Sequence, residues 1–268
     1  MKSLFTNRMR RLMFYLIGFA LLSFLWALGT AWAYIPPADG QLTFVELIKK
    51  EIPKTAEVLN IKRGITPSEH FTALSFGAVL PLFSFVYILY AVKRLQADII
   101  LNKEYYFFIQ TSHKQSNIVI VNFVAILIGL AVQTTAVILA LFVASFIWGY
   151  WTFSFNAIIS VMLMLFAQNA FSASFVLLGA GITKTGRLHF VFPFLLVFWF
   201  ILPRAAVLVK EIEFLKYLSP FSAIDIWKTL NKFDPTLPLV FVAAGALLAL
   251  ITALYFNRRE FIKAEEDI

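Results

Sequence analysis

Few residues in the apolar stretches of this sequence could hold a ligand or move a proton. They are Gln133, Thr134, Gln168, Asn169 and Arg204; no Asp or Glu lies inside any long apolar run. Proton-coupled carriers place ionisable relays within the membrane, so a proton-driven mechanism has no residues to run on. His70, His113 and His189 fall on separate polar connections, and no metal site is expected from them. The chain has no cysteine, which excludes a thiolate metal site, a cysteine nucleophile and a disulfide framework. Nucleophile-elbow, zinc-protease and paired-carboxylate patterns are missing, as is a G-x-x-x-x-G-K-[ST] phosphate loop. An enzyme is therefore not expected, and any ATP-driven work needs a second polypeptide.

Gln133 and Gln168 lie 17 and 18 residues from Tyr150, the centre of a Gly149-Tyr150-Trp151 turn. That spacing puts them at similar depth on neighbouring helices, with Thr134 and Asn169 beside them. They either hydrogen-bond helix to helix, each bond worth about 0.6 kcal/mol on average in a bilayer, or line a substrate path. Arg204 is the one charge well inside a predicted span. It either snorkels to the nearby interface or contacts an anionic substrate or lipid head group. Gly245, Ala249 and Ala253 make a small-residue stripe at i, i+4 and i+8. Such a stripe lets backbones approach closely, within the subunit or across a dimer.

The elements that carry these residues are read from hydropathy. Apolar residues make up 60% of the 268, 30 of them Phe, and the mean hydropathy is +0.81. Soluble domains average about 45–50% apolar, and a run of about 20 apolar residues spans the hydrocarbon layer as a helix. The pattern predicts an all-α, polytopic membrane protein forming one domain over residues 1–268. Six spans are expected at about 12–34, 67–91, 117–148, 152–182, 189–209 and 236–256. The first resembles a signal peptide ending at Ala31-Trp32-Ala33, but its apolar run exceeds the ~7–15 residues of a signal core, so it is read as uncleaved. In the polar segment 35–66, Thr43 and Glu46 form a capping-box pattern for a short helix that stops at Pro53. Thr66 and Pro67 open the second span, and Pro81 is expected to kink it. Residues 95–116 read as an amphipathic helix lying along an interface, and 211–235 as a second amphipathic connection.

Charge orients the spans. With the N-terminus inside, segments 1–11, 93–116, 183–188 and 257–268 hold 13 Lys and Arg against 6 Asp and Glu, seven of the eight net positive charges. Short basic loops mark the cytoplasmic side. Both termini are therefore expected in the cytoplasm, and 35–66 and 211–235 outside. All six Trp fall in or beyond the outer half, as an interfacial belt would. The pI near 9.6 is then accounted for by a membrane surface, without nucleic acid.

This layout resembles the permease subunits of type 2 ABC transporters over nearly the whole chain. Three stretches carry the resemblance. Lys103 to Lys114, with Ile118-Val119 beyond, looks like the family's apolar coupling segment. Tyr217-Leu218-Ser219-Pro220-Phe221 is similar to the L-S-P-F before the last span, and Tyr255-Phe256-Asn257-Arg258-Arg259-Glu260 to the aromatic-plus-basic ending. The sequence departs from the family pattern at Ser112, Gln115 and Asn122, where a proline, an arginine and a lysine are usual.

The resemblance implies an exporter permease in a bacterial cell membrane that pairs with a second permease subunit, identical or related. Two copies of a separate ATPase would bind the ATP and magnesium, and this chain no cofactor. Glu104, Tyr105, Phe108, Ile109, Ser112, His113 and Lys114 would form the coupling surface, aromatic anchors suiting a groove on the partner. The same helix could instead float on the inner leaflet. The implied cargo is a lipid, peptide or hydrophobic drug. A competing expectation is a non-transporting immunity or sensor protein that binds a peptide through residues 35–66.

Overall fold

The computed structural model describes residues 2–36, 41–77, 79–98, 115–149, 153–182, 190–208 and 210–258. Among them there is no strand, and six helical stretches are long and apolar enough to cross a bilayer. They give the chain the architecture of a multi-pass membrane protein. In chain order the helices are α1 (Lys2–Trp32), α2 (Phe44–Glu51), α3 (Pro53–Val58), α4 (Pro67–Phe71) and α5 (Val79–Val92). They continue with α6 (Gln115–Trp148), α7 (Phe155–Ile182), α8 (Val191–Leu208), α9 (Ile226–Asn231) and α10 (Thr236–Arg258). Segments α4 and α5 belong to one membrane-length stretch, Pro67–Ala97, with π-helical turns at Thr72–Phe76 and Lys93–Ala97.

The first helix is longer than hydropathy predicts, because it runs on through Arg8, Arg10 and Arg11. These long side chains carry no helix penalty, so only the apolar window, and not the helix, ends near Leu12. Its aromatic pairs fix its partner: Tyr15 stacks on Tyr90 at 5.4 Å and Trp26 meets Phe83 at 6.3 Å, and just past its end Tyr34 meets His70 of α4 at 5.3 Å. Rising numbers on one helix match falling numbers on the other, so α1 and α5 are antiparallel. Phe85 against Phe200 at 5.0 Å and Arg204 against Gly77 set the second stretch against α8 in the same sense.

At the centre stands α7, whose most apolar window is 72% buried, against 17% for α1. Its sequence explains the position. Ala167, Ala170, Ser172, Ala173, Ser174, Ala180 and Gly181 are all buried, and small side chains let neighbouring helices close in where lipid supplies no hydrophobic drive. Large apolar residues point outward instead, with Phe14 at 83% and Phe146 at 80% exposed. Such surface is costly in water and at home against acyl chains.

The connections 41–66 and 210–235 cap one end of this bundle. Thr43 caps α2 and Thr66 caps α4, each in a reciprocal capping box with the Glu three residues on. Lys210–Leu218 and Pro220–Ala223 are 3-10 turns leading to α9, whose N-cap is Asp225. The two connections are tied together. Lys62 pairs with Asp225 at 3.3 Å, Arg63 bonds Asn231 at 2.9 Å, and Trp227 Nε1 donates to Asn60 O at 2.6 Å. Asn60 sits at φ +56°, the left-handed position that ends a helix and that Asn tolerates. Gly149, at φ +67°, closes α6 in the same way.

Candidate functional site

Two prolines break the regular ladder beneath the cap. Pro81 in α5 has no N–H for the carbonyl of Gly77, and Pro203 in α8 has none for that of Trp199. Side chains from elsewhere in the chain take up both acceptors. Arg204 Nη2 donates to Gly77 O at 2.5 Å, and Ser219 Oγ donates to Trp199 O at 2.6 Å. Gly77 is also a point of close approach, since a Cβ there would lie 2.2 Å from the backbone oxygen of Leu59. The break in the second membrane-length stretch is thus held from one side by the cap and from the other by Arg204.

Arg204 does not reach out to solvent as a snorkelling residue would. It folds back along its own helix, where Nη1 donates to Phe200 O at 2.6 Å and the guanidinium lies 3.7 Å from the Phe200 ring centre. Its Nε is buried without an acceptor. A neutral carbonyl satisfies a donor but cancels no charge, and no carboxylate pairs with Arg204 among the described residues.

Beside this guanidinium lies a cavity of about 200 Å³. Phe200, Pro203, Arg204 and Val207 form one wall from a single face of α8, at i, i+3, i+4 and i+7. Gln168 of α7 and Pro81 of α5 stand opposite, while Glu57, Asn60, Lys216 and Phe221 close the capped side. Lys216 is held there by an acidic partner. Its Nζ donates to Glu213 at 2.6 Å, which raises its pKa and keeps it protonated at neutral pH.

A second, smaller cleft of about 20 Å³ shares Pro81 and Leu165 with the first. Gln133, Thr134, Asn169 and Ser84 line it. Gln133 is the junction of three helices: its Nε2 donates to Ser23 Oγ of α1 at 2.8 Å, and its Oε1 accepts from Ser84 Oγ of α5 at 3.1 Å. Asn169 Oδ1 faces no donor. The five mid-membrane residues singled out by type therefore divide into two sets. Gln133, Thr134 and Asn169 share the small cleft, and Gln168 and Arg204 share the larger cavity.

Gly245, Ala249 and Ala253 lie on the α10 face toward the centre of the bundle. A Cβ on Gly245 would stand 3.2 Å from the backbone of Phe171 in α7, and Ala249 and Ala253 are buried. Glu104, Tyr105, Phe108, Ile109, Ser112, His113 and Lys114 lie outside the described residues. Of the same connection, Leu95, Gln96 and Ala97 are buried, and Asn122 Nδ2 ties the end of the second stretch to α6 through Leu95 O and Gln96 Oε1, both at 2.8 Å.

Sequence reasoning missed Ser219 as a structural tie and the inward turn of Arg204. The signals were present in Pro81 and Pro203, each of which announces an acceptor without its helical donor. No group of three or more potential metal ligands occurs among the described residues. No family model matches the chain, nor does any curated protein or solved structure.

Proposed function

We propose that this chain is the transmembrane permease subunit of an ATP-driven exporter of the ABC type, moving a hydrophobic or amphipathic substrate with the help of a separate ATPase. One observation carries the reading. Among the described residues, the short helices and turns outside the membrane-length stretches are gathered at one end of the bundle, in 41–66 and 210–235. Away from that cap the second stretch ends at Ala97 and α6 begins at Gln115, and the sequence between them is the aromatic segment that resembles a coupling helix. Among the described residues, Lys2, Arg8, Arg10 and Arg11 of α1 and Lys93 and Arg94 at the close of the second stretch lie at the end away from the cap, which, with the basic sequence of 183–188 and 257–268, supports a cytoplasmic assignment for that end and for both termini. The L-S-P-F stretch adds further support, since its Ser219 secures the proline break of the preceding long helix.

The test is association. Tyr105→Glu or Phe108→Glu places a charge in the coupling surface and leaves the apolar helices untouched. Membrane insertion should persist while co-purification of the ATPase, expected as a separate chain of roughly 200–300 residues, is lost. Unchanged association and transport in both variants would overturn the proposal.

A further inference from the structure

We infer that the cavity beneath the cap binds the anionic head group of an amphiphile, a carboxylate or phosphate held by Arg204, with its apolar chain leaving along the α8 wall. Charge is the first argument. Arg204 sits among Phe76, Phe200, Leu165 and Val207, and its contacts are two neutral carbonyls and an aromatic ring. A guanidinium has five N–H groups; two are used, and the buried Nε is free to donate. An anion supplies both the missing acceptor and the missing charge, and guanidinium is the side chain whose fork matches carboxylate and phosphate geometry.

Size and shape are the second argument. At ~30 Å³ per water in the liquid, the cavity of about 200 Å³ holds about seven water-sized groups, enough for a head group and its first carbons. Gln168 adds an amide at the same wall, and Lys216, ion-paired with Glu213, stands at the rim. Glu57 also stands at the rim, but it is exposed, where solvent screens it. Two lysines line the approach. A shallower cleft of about 550 Å³ shares Glu57, Asn60 and Val207 with the cavity and carries Lys49 together with Lys62, the latter paired with Asp225.

That the ligand is cargo rests on the permease reading; that it binds does not. The experiment therefore uses the chain alone, without an ATPase, in phosphatidylcholine nanodiscs. Photoreactive palmitate and photoreactive phosphatidic acid are crosslinked, with a photoreactive fatty alcohol and phosphatidylcholine as uncharged and zwitterionic controls. Labelling by at least one anionic probe should concentrate in 200–207 and 221–226, and exceed both controls about tenfold or more, the range of a charge-assisted hydrogen bond. Palmitate alone would identify a carboxylate ligand, phosphatidic acid alone a phospholipid, and both the shared head-group chemistry. Arg204→Gln should abolish the preference for charge. Should that variant misfold, Val207→Trp keeps the Arg204 bonds and fills the cavity, and should lose the labelling. Equal labelling by charged and control probes, or labelling that survives Val207→Trp, would overturn the inference. Normal labelling in a chain to which no ATPase binds would sink the permease reading and leave the site standing.

Discussion

Gln133 offers the most direct measure of what polar side chains do inside this bundle. Its amide is 5% exposed and its partner Ser23 is fully buried, so no water competes for the 2.8 Å bond between them. The bond to Ser84 is weaker for a structural reason. The Ser84 hydroxyl has one proton and faces two acceptors at 3.1 Å, Gln133 Oε1 and Leu80 O. Interhelical hydrogen bonds in bilayers average ~0.6 kcal/mol and reach ~1.7. Ser23–Gln133 should lie in the upper half of that range, about 1–1.7 kcal/mol, and Ser84–Gln133 near or below ~0.6 kcal/mol. The perturbation is a double-mutant cycle of Ser23→Ala and Gln133→Leu, read by reversible unfolding in mixed micelles as the fraction of denaturing detergent rises. Gln133→Leu keeps most of the volume and leaves Ser84 its bond to Leu80 O, so the single variant should lose about 1–2.5 kcal/mol. A coupling energy under ~0.3 kcal/mol would refute the reasoning, since a buried, well-placed bond would then be contributing nothing.

Other outcomes follow from the same contacts. Ser219→Ala should cost about 1–2 kcal/mol, because the Trp199 carbonyl loses its only donor across the Pro203 gap; thermal unfolding in detergent measures it, and Ser219→Thr should restore most of the loss. Gly245→Val drives a branched side chain toward the backbone of Phe171, which cannot rotate away, so a loss of about 1–3 kcal/mol is expected where Ala249→Gly costs less. Trp227→Phe removes the bond to Asn60 O and should speed amide exchange in 44–61 while the long helices stay protected. Unchanged exchange there would mean that the two parts of the cap do not hold each other.

How far the sequence could be read differs by the range of the interaction. The six apolar helices were legible because hydropathy is a property of a contiguous window. The starts of α2 and α4 were legible because a capping box is complete within four residues, and Thr43 and Thr66 both form one. Arg204 marks where local reasoning stopped. Its depth in the helix could be counted, but its direction depends on the carbonyl that Pro81 strands 127 residues away in the chain. For the same reason Gln133 and Gln168, equal in depth, could not be sorted between two cavities. Depth fixes the layer, whereas the face is set by which helices pack on either side. The π-helical turns at Thr72–Phe76 and Lys93–Ala97 left no trace in composition.

The absence of cysteine makes the central claim open to a clean measurement. Single substitutions Lys50→Cys and Lys228→Cys report on the capped end, and Lys103→Cys and Lys184→Cys on the other, each labelled with a membrane-impermeant maleimide. The account predicts labelling at 50 and 228 in intact cells, and at 103 and 184 only after the membrane is opened. Labelling of Lys103→Cys in intact cells would contradict it, since the aromatic connection would then face away from any cytoplasmic motor.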